Sequence, residues 1–245
     1  MGPGRDRLNV VIASVSLITY PREELRWAFG RMGLDRPDLA EVQGLRFKRL
    51  VGTAQGRSFA WKPDLLRWGL VAAWDDASDL DRFLAESPVA ERWREHAAEV
   101  WTVRMVPVKS AGQWGGSNPF PAQAPPPGDG PYAVITRASL RARRTRSFYG
   151  AVPPIDLDLA RAEGLVASIG FGESPLGRQG TLSVWTSLDA MKEFAYGTAA
   201  HREAMRRRAE EDWYAEELFA RFRPTASEGT WDGADPLAPL LAAAR

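Results

Sequence analysis

The feature that most constrains this chain is an internal repeat at a constant offset of 111 residues. The segment Trp74–Phe83 matches the segment Trp185–Phe194, so that tryptophan lies opposite tryptophan and phenylalanine opposite phenylalanine. At the same offset, His201 lies opposite Ala90. A repeat of this length indicates a duplicated domain, and only one of the two copies has a histidine at this position.

A proline-rich segment separates the two copies. Residues 118–131 contain six prolines, which remove backbone hydrogen-bond donors and favour a semi-rigid, extended linker. We therefore predict a first repeat at residues 1–117 and a second repeat at residues 132–235 that carries the candidate site. Residues 236–245 are predicted to form a C-terminal tail.

Each copy shows the same order of elements: strand, helix, strand, strand, helix, strand. The predicted strands are Asn9–Thr19, Leu45–Gly52, Trp68–Trp74, Trp101–Val108, Tyr132–Leu140, Leu165–Phe171, Gly180–Trp185 and Leu218–Thr225. Helices are predicted at Arg22–Met32, at Asp156–Glu163 and directly after the third strand of each copy. This order is typical of a ferredoxin-like domain of the α+β class, whose sheet has helices on one face only. Because the other face must be covered, we predict a pseudo-dimeric α/β barrel formed by both repeats within one chain.

Composition narrows the classes of partner. Lysine and arginine number 32 against 31 acidic residues, so net charge predicts no nucleic-acid partner. The chain has no cysteine, which excludes disulfides and thiolate metal sites. The first apolar stretch is short and broken by polar residues, so we expect a soluble, cytoplasmic protein without stable membrane insertion. Ten tryptophans and ten phenylalanines fit an aromatic core or a pocket for a large apolar molecule.

The common catalytic motifs are absent from the sequence. The segment Gly170–Pro175 begins like a dinucleotide-binding loop, but it lacks the third glycine, and a proline stands where the helix should continue. There is no Walker loop, no nucleophile elbow and no zinc-protease motif. The two histidines, His96 and His201, lie at non-equivalent positions of opposite repeats, which disfavours an iron site that needs both.

His201 is the candidate metal ligand. On a helix, Ala204, Met205 and Arg208 lie on its side at spacings of three, four and seven residues. Small and soft apolar neighbours leave room for a planar macrocycle, and an arginine further along can meet its propionates. A structural histidine at the helix surface is the alternative, and for His96, which has charged neighbours, we expect only that role.

Arg137 is the second candidate, as a catalytic residue. It lies in the middle of a predicted strand, on the same face as Ala133 and Ile135. If that face points into the barrel, the guanidinium needs a propionate, a carboxylate or a bound oxygen ligand as its partner. If the face points outward, Arg137 is an ordinary surface charge, and the sequence leaves both possibilities open.

Several segments resemble the spheroidene monooxygenase family of bacterial carotenoid biosynthesis. The most specific is Phe194–Gly197 followed by His201 and Arg202. The others are Trp27–Met32, Gly52–Gly56, Thr136–Arg141, Ala151–Pro154, Ser183–Trp185, Glu216–Phe222 and Glu228–Trp231. The resemblance extends over most of the chain.

The resemblance implies a haem protein of the dimeric α/β barrel superfamily that oxidises an apolar substrate with dioxygen and external electrons. It implies that His201 is the proximal ligand of haem b in the second repeat, and we expect Phe194 and Met205 to pack on the ring. We expect Arg208 near the propionates. The implied partners are an apolar or aromatic small molecule, dioxygen and an electron donor such as ferredoxin.

Two other functions remain open from the sequence. A haem enzyme of the aldoxime dehydratase type would bind its substrate directly to iron and would need distal acid or base groups, which are scarce here. A non-catalytic barrel that binds haem or an apolar ligand would need no such groups, because a fold alone does not determine a reaction.

Overall fold

The computed structural model describes residues 11–57, 62–174 and 177–244. The first repeat contains strands β1 Ile12–Thr19, β2 Leu45–Ala54, β3 Pro63–Trp74 and β4 Glu99–Gly112. The second repeat contains strands β5 Tyr132–Leu140, β6 Leu165–Gly172, β7 Arg178–Trp185 and β8 Tyr214–Gly229. The first two residues of the predicted strand Asn9–Thr19 lie outside the described residues, and β4 and β8 extend beyond their predicted ends at both termini.

The eight strands form a closed antiparallel barrel in the order β1-β3-β2-β6-β7-β5-β8-β4. Each repeat contributes the order fourth, first, third, second, which is the ferredoxin-like arrangement. The repeats meet along one long edge, where β4 and β8 pair from Trp101 with Gly229 to Gly112 with Leu218. At the other edge, β2 and β6 pair through Gly52 with Gly172 and Thr53 with Phe171. The predicted pseudo-dimeric α/β barrel within one chain is thus confirmed.

Helices cover the outside of the barrel. They are α1 Leu25–Leu34, α2 Arg36–Ala40, α3 Ala77–Glu86, α4 Pro88–His96, α5 Thr145–Ala160, α6 Leu188–Lys192, α7 Ala199–Glu211 and α8 Ala238–Ala243. A π-helical turn, Glu193–Gly197, joins α6 to α7. None of the described helices has the length and apolar composition required to span a membrane.

The first helix of the second repeat differs from its prediction. Asp156–Glu163 was expected to be helical, whereas α5 begins at Thr145 and ends at Ala160, with Pro153 and Pro154 inside it. Proline removes helical hydrogen bonds and usually ends a helix. Here both prolines lie on the exposed side, while the opposite side buries its apolar residues against the sheet. That burial stabilises the helix despite the lost bonds.

The barrel interior is a packed core. Alternate residues of the strands point inward, among them Val15, Val103, Ile135 and Leu182. The segment 118–131 contributes to this core, because Phe120 is fully buried and packs edge-on against Phe222. The predicted tail also joins it, through Leu237 directly before α8. The interior therefore offers little space for a large ligand.

Candidate functional site

The outer faces of the two repeats differ in packing. In the first repeat, helices and sheet share one continuous apolar cluster that includes Leu70, Ala72 and Trp93. In the second repeat, the outer apolar residues divide into two clusters, one around Phe148 and Trp213 and one around Trp185, Met191 and Phe194. The region between these clusters is the candidate ligand site.

Smaller side chains open this region. At the repeat offset, Leu70 is replaced by Thr181, Ala72 by Ser183 and Trp93 by Ala204. Leu70 and Ala72 are almost fully buried, whereas Thr181 and Ser183 are only half-buried in the middle of the sheet. Helix α4 buries Val89, Ala90 and Trp93, while α7 has no buried residue. We call the outer face of the sheet over Thr136, Thr181 and Ser183, beside α5 and α7, the outer cleft.

His201 lies on α7 beside the outer cleft. Its Nδ1 is 2.8 Å from the carbonyl oxygen of Ala195. Because a carbonyl can only accept, Nδ1 carries the proton, and Nε2 keeps the lone pair that a metal requires. Burial lowers the pKa of His201, opposed by the hydrogen bond to Ala195, so the imidazole is neutral near pH 7. The ring of Phe194 lies 5.4 Å from it, centroid to centroid.

The π-helical turn explains why the carbonyl of Ala195 is available. Carbonyls in this turn are bound by side chains that follow it: Thr198 Oγ1 donates to Phe194 at 3.1 Å, and Arg202 Nη1 donates to Tyr196 at 3.0 Å and Gly197 at 3.1 Å. In the same way, His201 Nδ1 donates to the carbonyl oxygen of Ala195. The segment Phe194–Arg202 is therefore one hydrogen-bonded unit that holds the imidazole in a fixed orientation.

These residues fit haem better than a free metal ion. Within the described part of the chain, no group of three or more His, Asp or Glu side chains could hold a metal. One neutral imidazole supplies a single ligand. In haem the ring nitrogens of the macrocycle already coordinate the iron, so one protein ligand is sufficient. A histidine that donates its other ring proton to a carbonyl is the usual arrangement of a metal ligand.

The other predicted cofactor residues have mixed surroundings. Phe194 packs on Trp185 beside His201. Met205 is 41% exposed. Arg208 donates from Nε to Glu217 Oε2 at 2.8 Å and pairs through Nη2 with the other carboxylate oxygen, so a propionate would have to displace Glu217. A role for these residues in haem binding stays a prediction.

Arg137 lies on the opposite side of the sheet from His201. It points into the barrel, is 3% exposed, and donates from Nε to Glu173 Oε1 at 2.8 Å. Its Nη1 also pairs with Glu216, whose carboxylate accepts from the backbone of Gly115 and Gly116. The buried guanidinium thus has carboxylate partners within the chain. Of the two possibilities that the sequence left open, the structure shows the inward one, with carboxylates as the partners of Arg137, and side chains alternate between the faces of a strand, so His201 lies on the other side. A catalytic role of Arg137 stays a prediction.

His96 and the glycine motif also have defined positions. His96 stacks on Trp27 at 3.9 Å between ring centroids, and its Nδ1 is 3.4 Å from Glu24 Oε2. These contacts fit the structural role that its charged neighbours predict. Residues 170–172 end β6, and the described chain leads from there to β7 rather than into a phosphate-binding helix. Pro175 lies outside the described residues.

Two polar residues at the contact of α5 with the sheet, Tyr149 on α5 and Gln179 on β7, were not predicted from the sequence. Tyr149 and Gln179 form a buried hydrogen bond of 2.6 Å between the phenol and the amide oxygen. Gln179 lies opposite Trp68 at the repeat offset. A systematic comparison of large residues in the first repeat with their counterparts would have shown this replacement, as it would have shown Trp93 opposite Ala204.

The second repeat matches a family model described as a domain of unknown function, DUF3291, over residues 139–221. Among solved structures, aldoxime dehydratase in complex with butyraldoxime superposes with a TM-score of 0.61 at 10% identity, covering 95% of this chain and 85% of that one. This similarity shows the fold alone.

Curated relatives match nearly the whole chain. Spheroidene monooxygenase of Rhodobacter capsulatus is 39% identical over 230 residues, which cover 93% of this chain and 95% of the relative. Spheroidene monooxygenase of Cereibacter sphaeroides is 33% identical over 232 residues, covering 94% of this chain and 72% of the relative. The chain therefore belongs to the spheroidene monooxygenase family, and its reaction class is that of a monooxygenase, an oxidoreductase.

Proposed function

We propose that this protein is a haem b monooxygenase that oxidises an apolar or aromatic small molecule with dioxygen. The observation that carries the proposal is the hydrogen bond from His201 Nδ1 to the carbonyl of Ala195. This bond fixes the tautomer and leaves Nε2 free to bind iron. The neutral state of the imidazole near pH 7 supports the same role, since a protonated nitrogen cannot be a ligand.

The outer cleft supplies the space for the cofactor and the substrate. Small residues of the second repeat replace the side chains that fill the first repeat. Trp185, Phe194 and Phe219 give the cleft an apolar side that can hold a macrocycle and exclude water. Thr136 and Thr181 lie side by side on adjacent strands of its floor.

Haem, when bound, supplies the centre at which dioxygen is activated with electrons from an external donor such as ferredoxin. In the net reaction one oxygen atom enters the substrate and the other leaves as water, which consumes two electrons and two protons. The chain contributes the imidazole ligand, a dry cleft and the orientation of the substrate. The relatives are named for spheroidene, and we propose a carotenoid of that kind, a long apolar polyene, as the first substrate to test.

The assignment of His201 is tested by exchanging each histidine. His201→Ala should lose nearly all bound haem and its Soret band, because the cleft would hold the macrocycle by packing alone. His96→Ala should keep the parent's haem content, since His96 stacks on Trp27 on the first repeat. The measurement is the absorption spectrum after reconstitution with haem. Equal loss in both variants, or loss only in His96→Ala, would show that the ligand was wrongly chosen.

The reaction class is tested with labelled dioxygen. Reduced, haem-loaded protein should transfer one labelled oxygen atom into an apolar polyene, as measured by mass spectrometry. Neutral apolar ligands should also perturb the haem spectrum at lower concentration than ionic analogues of similar size, because the cleft is lined by apolar residues. Product formation without dioxygen, or tighter binding of the ionic series, would contradict the proposal.

A further inference from the structure

Gln179 is a buried side chain with one unused hydrogen-bonding group. It points outward from β7 and is 8% exposed. Its amide oxygen accepts from the Tyr149 hydroxyl at 2.6 Å, whereas the amide nitrogen, Nε2, is buried without a partner among the described residues. Buried amide groups are nearly always fully paired in folded proteins, so this donor requires an explanation.

The strands beside Gln179 cannot supply an acceptor side chain. On β5 its direct neighbour is Ala138, and on β6 it is Gly172. Neither residue carries a polar side-chain atom. An acceptor for Nε2 must therefore come from above the sheet, where α5 and the outer cleft lie.

Tyr149 fixes the direction of the amide. Burial raises the pKa of the Tyr149 hydroxyl, so it stays protonated and remains a donor at neutral pH. A donor at the amide oxygen turns the NH₂ group away from Tyr149. The pair thus holds Nε2 in one orientation, which is the arrangement expected of a donor prepared for a ligand.

The repeat comparison associates this donor with the candidate site. The equivalent residue, Trp68, pairs with Ile18 and adds to the apolar cluster of the first repeat, where its indole Nε1 is also buried without a partner among the described residues. In the second repeat the indole is replaced by an amide, two residues before Thr181 on the floor of the outer cleft. Among these outer-face replacements, Gln179 has the buried donor without a partner.

We propose that Gln179 Nε2 donates a hydrogen bond to an oxygen atom of the small ligand bound at the haem in the outer cleft, and that Tyr149 is its positioning residue. The inference rests on the proposed function, since it assigns the polar contact on the ligand side of the same cofactor. Gln179→Leu keeps a similar volume and removes only the donor and acceptor. Tyr149→Phe keeps the ring and releases the amide.

The test uses haem-loaded full-length protein with two small probes. In the ferrous CO complex, loss of a donor beside the bound gas should move the C–O stretch to higher wavenumber in Gln179→Leu. Tyr149→Phe should shift it in the same direction by a smaller amount, because the amide is then free to turn. Ferric protein should bind fluoride, a strong acceptor, roughly tenfold more weakly in Gln179→Leu, as expected for loss of one hydrogen bond. Gln113→Leu, the same change at an exposed residue, should match the parent.

The outcomes separate the two proposals. A parent protein without a Soret band would overturn both the haem function and the role of Gln179. A normal Soret band with an unchanged C–O stretch in both Gln179→Leu and Tyr149→Phe would overturn the role of Gln179 alone. Weaker haem binding with an unchanged stretch would also overturn it, since the acceptor would then be a propionate. Circular dichroism checks that each variant is folded. If Gln179→Leu does not fold, the C–O stretch of Tyr149→Phe tests the role of Gln179.

Discussion

At the scale of single residues, the repeat shows what each copy does with the same position. Arg137 corresponds to Leu17, because both lie on the inward face and pair with the equivalent glycines, Gly180 and Gly69. The same position is therefore an apolar core leucine in the first copy and a buried arginine in the second. The charge is matched by Glu173 and Glu216, so its role can be tested apart from the haem.

Arg137→Leu should destabilise the protein without removing haem. The substitution removes the buried partner of Glu173 and Glu216, so that, among the described residues, Glu173 keeps only the salt bridge with Arg49 and Glu216 only two backbone amides. Breaking a buried ion pair from one side costs about 3–5 kcal/mol of unfolding free energy. The free energy is measured by urea denaturation, and the haem content by the Soret band. Adding Glu173→Gln and Glu216→Gln should recover part of the loss, because both buried carboxylate charges are then removed, although Arg49 loses its partner. If Arg137→Leu kept full stability but had reduced turnover, the result would instead support a catalytic role for Arg137.

At the scale of elements, helices α4 and α7 occupy equivalent positions in the two repeats but pack differently. In α4, Trp93 packs edge-on against Phe83 of α3 and is buried in the apolar cluster that joins the helices to the sheet. In α7 the equivalent Ala204 is half-buried, and the helix has no buried residue of its own. The hydrogen bonds of the π-helical turn hold the start of α7 where tertiary packing does not.

Ala204→Trp should therefore fill the outer cleft and compete with haem. Overpacking of this kind costs about 1–3 kcal/mol, which corresponds to roughly 5- to 150-fold weaker haem binding. The measurement is a haem titration of the apoprotein followed at the Soret band. Ala209→Trp, on the exposed side of the same helix, is the matched control and should bind haem like the parent. Unchanged affinity in Ala204→Trp would place the haem elsewhere.

The elements also show how far the sequence could be interpreted alone. Strand order and the position of His201 were predictable, because β-strand patterns and the repeat are local or periodic signals. Helix α5 was not, since Pro153 and Pro154 suggest a break and only burial against the sheet shows why the helix continues. The face of Arg137 and the pair of Tyr149 with Gln179 depend on contacts between distant segments. The repeat shows that Gln179 replaces Trp68, but it carries no signal for the partner of Gln179.

At the scale of the whole molecule, the two edges at which the repeats join are unequal. β4 and β8 pair from Trp101 to Gly112 of β4, whereas β2 and β6 share two residue pairs among the described residues. Local opening of the barrel should begin at the edge between β2 and β6, because fewer backbone hydrogen bonds hold these strands together. The salt bridge of Arg49 with Glu173, 3.2 Å between Nε and Oε2, is an additional link across this edge.

Hydrogen exchange should reveal this difference. Amides of β2 and β6 at their shared edge should exchange at least about tenfold faster than amides in the middle of the β4 and β8 pairing, a difference of about 1.4 kcal/mol in opening free energy. The measurement is native-state exchange followed by mass spectrometry or NMR. Equal protection at both edges would mean that the barrel opens only as a whole.

The unequal outer faces have a consequence for how such a protein can evolve. In a symmetric homodimer, every substitution that empties one helix–sheet interface empties the other as well, and the loss of stability is doubled. A chain that contains both copies is free of this constraint. Trp93 fills one half while Ala204 stands in the other, so the tightly packed half can stabilise a half whose outer face is less well packed, as the proposed ligand site requires.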